Sequence, residues 1–464
     1  MRRASLPARV MMALLPEQER GKKMRYLIVA LLMVLSACSG EEPVNAQVGH
    51  ASRAASGLVD PARIDAALRG FVERGELVGV SALVFEDGEE AFSGAYGMAD
   101  REAERPMRRD TLVRIFSMTK PLTGVVLMSF YDEGRFGLDE PLEKYLPEFA
   151  GIEVYAGEEG GEPEYRAPAR PPTIRDILRH TAGFANGDGG DSTAVGQRYR
   201  EVDPVNASNT LAEMTAKLAS VPLLYEPGTR WYYGPSVDVQ ARLVEVLSGR
   251  PYAEVLQQRL LDPLKMSDTQ YTLRPDQRER FSALYERAPD GSFTPIRGDL
   301  ATFNTREWPL TPGGWGLTST LDDYMRFARM LLNEGELDGV RILEAETVRL
   351  MATDALPPEL TDRWWLVNKG QVGFGIDFAV RVAPPANQAE ASGAVGEFFW
   401  DGLANTLFWV DPQNDVAAVL FNQYVPFGKT EIQKDFRDAI YYHDETATAL
   451  NKAPAGPDTP RLSD

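Results

Sequence analysis

A single cysteine, Cys38, in 464 residues removes disulfides from the forces that can hold this chain together. The same scarcity excludes a Cys-rich zinc site, and the histidines number only three, His50, His180 and His443. The fold must therefore rest on apolar burial, for which 44% hydrophobic residues is an ordinary supply. At this length the chain can bury a large core as one big domain or two smaller ones. His50 lies in an apparent linker and His443 close to the C-terminus, so His180 alone sits well inside. A Ser-His-Asp triad or a histidine metal centre has little to draw on. The 49 Lys+Arg against 68 Asp+Glu give a net charge of −19, which argues against nucleic acid as a partner.

The N-terminus reads as a targeting segment, residues 1–37. Lys22, Lys23 and Arg25 precede an apolar run, 26–35, that is too short to cross a ~30 Å hydrocarbon layer as a helix. Met24 is a second candidate start. Leu35-Ser36-Ala37-Cys38 has the pattern of a bacterial lipobox, in which Cys38 becomes the lipid-modified first residue after cleavage. An ordinary signal peptide cut near Ala46 is the alternative. Residues 38–60 are small and polar, as suits a tether. The expectation is an exported protein, lipid-anchored on the periplasmic side of a bacterial membrane and touching that membrane only through the anchor.

From Pro61 the pattern turns globular and is expected to continue to 445, with 446–464 a disordered tail. Asp60-Pro61 followed by Ile64, Leu68 and Phe71 predicts a capped helix with one apolar face. Runs at 78–85 and 90–96 around Glu86-Asp87-Gly88 predict a hairpin, and a long helix begins near Ser117. Residues 137–310 are rich in Pro and Gly, with helical stretches at 173–180, 209–219, 236–248 and 252–261; 151–172 is a polar, Gly/Pro-rich excursion expected to be mobile. A helix over 320–333 precedes strands at 374–382, 397–400, 406–410 and 416–422 and a last helix at 430–443. The expected fold class is α/β (α+β): an antiparallel sheet flanked by helices, with a mostly helical insert.

The chemistry starts at Ser117-Met118-Thr119-Lys120. Three apart on a helix, Ser117 and Lys120 share a face one turn from each other. A lysine kept neutral by burial can take the serine proton and leave a nucleophile. Taken alone, such a pair is as well explained by a helix-start serine and a solvated lysine. A second element, 226–236, delivers Tyr232 and Tyr233 through a Pro-Gly turn to the start of a helix. There a phenol can move protons, or the cluster can simply pack the helix entrance. A third, Trp400-Asp401-Gly402-Leu403, is a strand end whose amides can hold an oxyanion, or else a tight hairpin with Trp400 in the core.

In this order and spacing the three elements resemble the serine β-lactamase and penicillin-binding-protein superfamily, in its class C-like branch with the family VIII carboxylesterases. His180-Thr181-Ala182-Gly183 and the run 313–320, Gly-Gly-Trp-Gly-Leu-Thr-Ser-Thr, add to the likeness, which spans about 60–445. The resemblance implies a β-lactamase/DD-peptidase-like fold with Ser117 as nucleophile, Lys120 as its base and Tyr233 as proton shuttle, Tyr232 being the alternative. It implies an oxyanion hole from the amides of Ser117 and Leu403, substrate contacts at Trp400, Asp401 and Gly402, and no metal or organic cofactor. His180 falls in a turn that looks structural in this family.

The departures bear on substrate. Class C β-lactamases carry Lys-Thr-Gly where this chain has Trp400-Asp401-Gly402, and Gly234-Pro235 follows Tyr233 where a side-chain amide is expected. The loss of that lysine takes away a cation suited to a substrate carboxylate, which points to neutral esters cleaved in preference to penicillins and cephalosporins. No Gly-x-Ser-x-Gly elbow exists as a rival nucleophile. The expected activity is a serine hydrolase on a small-molecule ester or amide. A β-lactamase, a D-amino-acid peptidase or an acyltransferase on the same site stay open, as does a catalytically silent cell-wall-binding protein. Oligomeric state leaves no mark on the sequence.

Overall fold

The computed structural model describes residues 57–187 and 191–441. The targeting segment, Cys38, most of the tether, His50, His443 and the tail lie outside the described residues. Asp60 caps the first helix, α1 (Pro61–Glu73), by accepting from the Ala62 amide at 2.9 Å, and Ile64, Leu68 and Phe71 form its buried stripe. Strands β1 (Gly79–Glu86) and β2 (Glu89–Asp100) turn through Asp87 and Gly88, both at positive φ, as a two-residue hairpin requires. After the short β3 (Arg105–Pro106), helix α2 (Thr119–Asp132) runs through the core.

The middle of the chain supplies helix α3 (Ser236–Ser248) and several shorter helices, among them Ile174–Leu178, Leu211–Ala219 and Tyr252–Leu256. Within the stretch at 151–172, Val154–Glu159 pairs antiparallel with Glu162–Arg166. Buried Val154 and the Tyr155 amide, which donates to the Leu223 carbonyl at 2.8 Å, dock that hairpin onto the domain.

Helix α4 (Leu321–Leu332) follows, then β4 (Val372–Phe374), β5 (Ala379–Arg381), β6 (Phe398–Asp401), β7 (Leu407–Asp411), β8 (Val416–Asn422) and helix α5 (Ile432–Tyr441). The run 374–382, expected as one strand, is two, because the chain reverses at Gly375–Phe378, where Asp377 takes φ 57. The sheet order is β4-β5-β6-β7-β8-β1-β2-β3, antiparallel throughout. The C-terminal strands thus meet the N-terminal hairpin at β8–β1.

Helices cover both faces of this sheet. On β7, Phe408 packs on Tyr324 and Phe327 of α4, while its neighbour Trp409 packs on Phe436 of α5. Adjacent strand residues point to opposite faces, so α4 and α5 lie on opposite sides. α1 packs beside α5. Buried Glu397 closes the α5 side: one oxygen accepts from Arg381 and Arg437, each at 2.8 Å, with all three side chains at most 4% exposed.

Glu397→Gln leaves two buried guanidinium groups without their anion and is expected to cost about 3–5 kcal/mol in urea unfolding. A loss within about 0.5 kcal/mol, the scale of an ordinary surface change, would contradict that role.

Candidate active site

Ser117 sits in a 3₁₀ turn, Phe116–Met118, that feeds directly into α2. The turn starts with Phe116 at φ 45, a left-handed conformation that is a true outlier for a bulky residue. Packing over-determines it, because Phe116 is locked in a cluster with Leu284, Leu403, Ala404 and Val425. Ser117 is partly exposed while the residues on either side of it are buried, so its hydroxyl is presented to the outside.

Lys120 lies below it, 5% exposed, with Nζ 3.3 Å from Ser117 Oγ and donating to the Gly314 carbonyl at 2.7 Å. Burial pulls its pKa down to about 8, against the opposing pull of Asp238, Asp377 and Asp401. A neutral amine in this place can donate to Gly314 and still accept the serine proton.

Tyr233 completes the group. Its ring covers Lys120 Nζ at 4.5 Å from the centroid, its hydroxyl accepts from Trp400 Nε1 at 3.4 Å, and Ser117 lies close enough to stabilise the phenolate. Burial holds the phenol well above the usual tyrosine range, so it is neutral at rest. Tyr232 turns away instead, stacking on Trp364 with ring centroids 4.5 Å apart.

The Gly402 corner meets this turn backbone to backbone. A Cβ on Gly402 would lie 2.4 Å from the Ile115 carbonyl and 2.4 Å from Thr406 Oγ1. The Leu403 amide follows directly, and among the described residues it donates to no backbone carbonyl. The structure therefore brings Ser117, Lys120, Tyr233, Gly402 and Leu403 together, although they span nearly 300 positions.

Two expected substrate contacts are occupied within the protein. Trp400 is 1% exposed, and Asp401 forms an ion pair with Lys369. Sequence reasoning missed Lys369, which enters from a 3₁₀ turn, Trp364–Lys369, with its ammonium among the rings of Trp365, Trp400 and Phe427 at 5.0–5.3 Å. The corner is not free of cations, as the loss of the Lys-Thr-Gly lysine suggested. Its cation is matched by Asp401.

His180 is fully buried at φ 57, within ring contact of Trp231, Tyr233 and Phe374. Neither ring nitrogen has a hydrogen-bond partner among the described residues. Burial, and then the Lys120 charge, drive its pKa well below the histidine range, leaving it a neutral packing element.

An open serine beside a buried lysine and a neutral phenol, on an antiparallel sheet wrapped in helices, defines a serine hydrolase of the β-lactamase and penicillin-binding-protein fold. The chain belongs to the Beta-lactamase family, whose model matches residues 64–442. Protein Rv1367c of Mycobacterium tuberculosis (strain ATCC 25618 / H37Rv) is 32% identical over 366 residues, 78% of this chain and 89% of that one. Esterase EstB of Burkholderia gladioli is 34% identical over 237 residues, 51% of this chain and 56% of the esterase. Among solved structures, EstCE1, described as a hydrolase with promiscuous acyltransferase activity, superposes with a TM-score of 0.69 at 23% identity, covering 82% of this chain and 98% of that one.

Gly402→Ala forces the Ile115 carbonyl or the Thr406 hydroxyl aside and so shifts the Ser117 turn against the Leu403 amide. Hydrolytic activity is expected to fall at least about tenfold, since displacements near 1 Å in such sites cost up to ~100-fold. Undiminished turnover in a folded Gly402→Ala protein would refute the contact's importance.

Proposed function

We propose that the protein is a carboxylesterase that works through an acyl-enzyme on Ser117. The observation that carries this reading is the placement of a buried, pKa-lowered Lys120 amine 3.3 Å from Ser117 Oγ and 4.5 Å from the centroid of the Tyr233 ring. The esterase among its relatives supports the same class of substrate.

In the first half-reaction the Ser117 proton passes to Lys120 as Oγ bonds to the ester carbonyl carbon. The carbonyl oxygen takes up the negative charge under the Ser117 and Leu403 amides. The tetrahedral adduct then expels the alcohol oxygen, which receives the proton from Lys120 by way of Tyr233. A neutral, high-pKa phenol suits this step, because it gives its proton to a developing alkoxide while regaining one from the ammonium behind it. In the second half-reaction water attacks the Ser117 ester, its proton returns along the same pair, and the acid is released. An alcohol in place of water gives acyl transfer.

The Lys369–Asp401 pair supports neutral esters, since no uncompensated charge stands at the corner beside Trp400. The basic and apolar approach to Cys38 supports a place on the periplasmic side of a bacterial membrane, held by a lipid on that cysteine.

A fluorophosphonate probe is expected to label the folded protein at Ser117, and Ser117→Ala to abolish labelling. A folded protein that stays unlabelled would sink the acyl-enzyme. The pH dependence gives an independent check. If Lys120 must be neutral, kcat/KM on a p-nitrophenyl ester rises with pH along a limb centred near 8. Lys369→Met removes a cation and uncovers the Asp401 carboxylate, both of which favour the charged Lys120. The limb is expected to move to higher pH; a limb that stays put or moves down would count against Lys120 as the base.

A further inference from the structure

The turn Trp364–Lys369 is clamped at both ends to elements that build the site. Just before it, Asp362 pairs with Arg230 at 2.7 Å and its carbonyl accepts from the Trp231 amide at 3.0 Å. At its end Lys369 pairs with Asp401. Between the clamps Trp364 holds φ 38, a left-handed backbone that a bulky residue adopts only under constraint. That kink aims two consecutive indoles at two consecutive tyrosines: Trp364 stacks on Tyr232, and Trp365 meets Tyr233 at 5.1 Å between ring centroids and 74° between planes.

Four rings surround Tyr233, namely His180, Trp231, Trp365 and Trp400. His180, Trp231 and Trp400 are at most 1% exposed, and only Trp365 keeps part of its surface open. If Tyr233 hands its proton to the departing alcohol, the group lying beside Trp365 is the alcohol part of the ester. We propose that Trp365 is the specificity-determining wall of this site and that it selects esters of planar, aromatic alcohols. An indole fixed by two ion pairs and a strained backbone offers an aromatic face or edge without first being ordered, which retains the full gain of ring contact on binding. A saturated ring of the same size meets the same wall without that gain. This proposal rests on the acyl-enzyme reading for the identity of the part beside Tyr233, and its test separates the two.

The experiment compares benzyl butyrate with cyclohexylmethyl butyrate, which share an acyl group and a primary leaving oxygen. Wild-type kcat/KM is expected to favour the benzyl ester by about three- to tenfold, the range set by aromatic pairing. Trp365→Leu is expected to bring the ratio close to one, with Trp365→Phe in between, while fluorophosphonate labelling of Ser117 verifies that each variant has an assembled site. Equal turnover of the two esters by wild type, or a ratio unchanged in a labelled Trp365→Leu protein, overturns the proposal and leaves the chemistry standing. In Ser117→Ala protein, quenching of tryptophan fluorescence by benzyl alcohol at lower concentration than by cyclohexylmethanol supports the wall without any catalysis. That result in a protein whose wild type resists the phosphonate would keep the wall and discard the acyl-enzyme.

Discussion

The site hangs on one buried amine. Lys120 is 5% exposed and its Nζ has the Gly314 carbonyl as hydrogen-bond acceptor and Ser117 Oγ as its other close neighbour. Several features of the fold exist to make that arrangement possible. A Cβ on Gly314 would sit 3.2 Å from both Lys120 Nζ and Asp238 Oδ2, so any side chain there would push between the amine and the carboxylate. The Gly314 amide donates to Asp238 Oδ1 at 2.9 Å, which turns the carbonyl of the same residue toward the lysine. The backbone just before α4, set against Lys120 of α2 and Asp238 of α3, is thereby made into a holder for one nitrogen.

Burial governs the ionisable groups around this amine. Burial keeps the Tyr233 phenol protonated and the His180 ring neutral, and it pushes the Asp238 and Asp377 carboxyls above the usual carboxylate range. Asp401 is paired with Lys369. These carboxyls limit how far burial lowers Lys120, and the outcome is an amine close to the pH at which proton transfer in both directions is efficient. Had burial acted alone the amine would be a weaker base; had the carboxyls dominated it would stay charged and unable to accept the serine proton.

What was legible in the sequence follows the range of the interactions. Ser117 and Lys120 are neighbours by helical geometry alone, and Asp60-Pro61 and Asp87-Gly88 act through local backbone preferences, so each was visible within a few residues. Tyr233 and Gly402 were legible as motifs, but why the second must be glycine was not: its constraint is the Ile115 carbonyl, almost 290 positions earlier. Lys369 and Trp365 left no signal, because a short 3₁₀ turn has no periodicity and an ion pair with Asp401 has no spacing rule. The left-handed Phe116 and Trp364 are likewise products of tertiary packing imposed on residues that would not choose that backbone. The hairpin within 151–172 was hidden because its strands are short, mostly exposed and carry four glutamates, with Gly157 and Pro163 inside them.

The same geometry bears on whether such a site hydrolyses or transfers. Phe116 and Leu403 share one buried cluster that ties the Ser117 turn to the Gly402 corner, and Lys120 is sealed beneath them, so neither distinguishes water from an alcohol as the second nucleophile. On the acyl-enzyme reading, microscopic reversibility brings the incoming group in along the path by which the first alcohol left, beside Tyr233. Among the described residues, the only partly open ring in contact with Tyr233 is Trp365. Whatever that wall holds well as a leaving group it also holds well as an acceptor, and water gains nothing from it. On the proposed reading, the balance between hydrolysis and acyl transfer falls to the 362–369 segment, outside the three motifs.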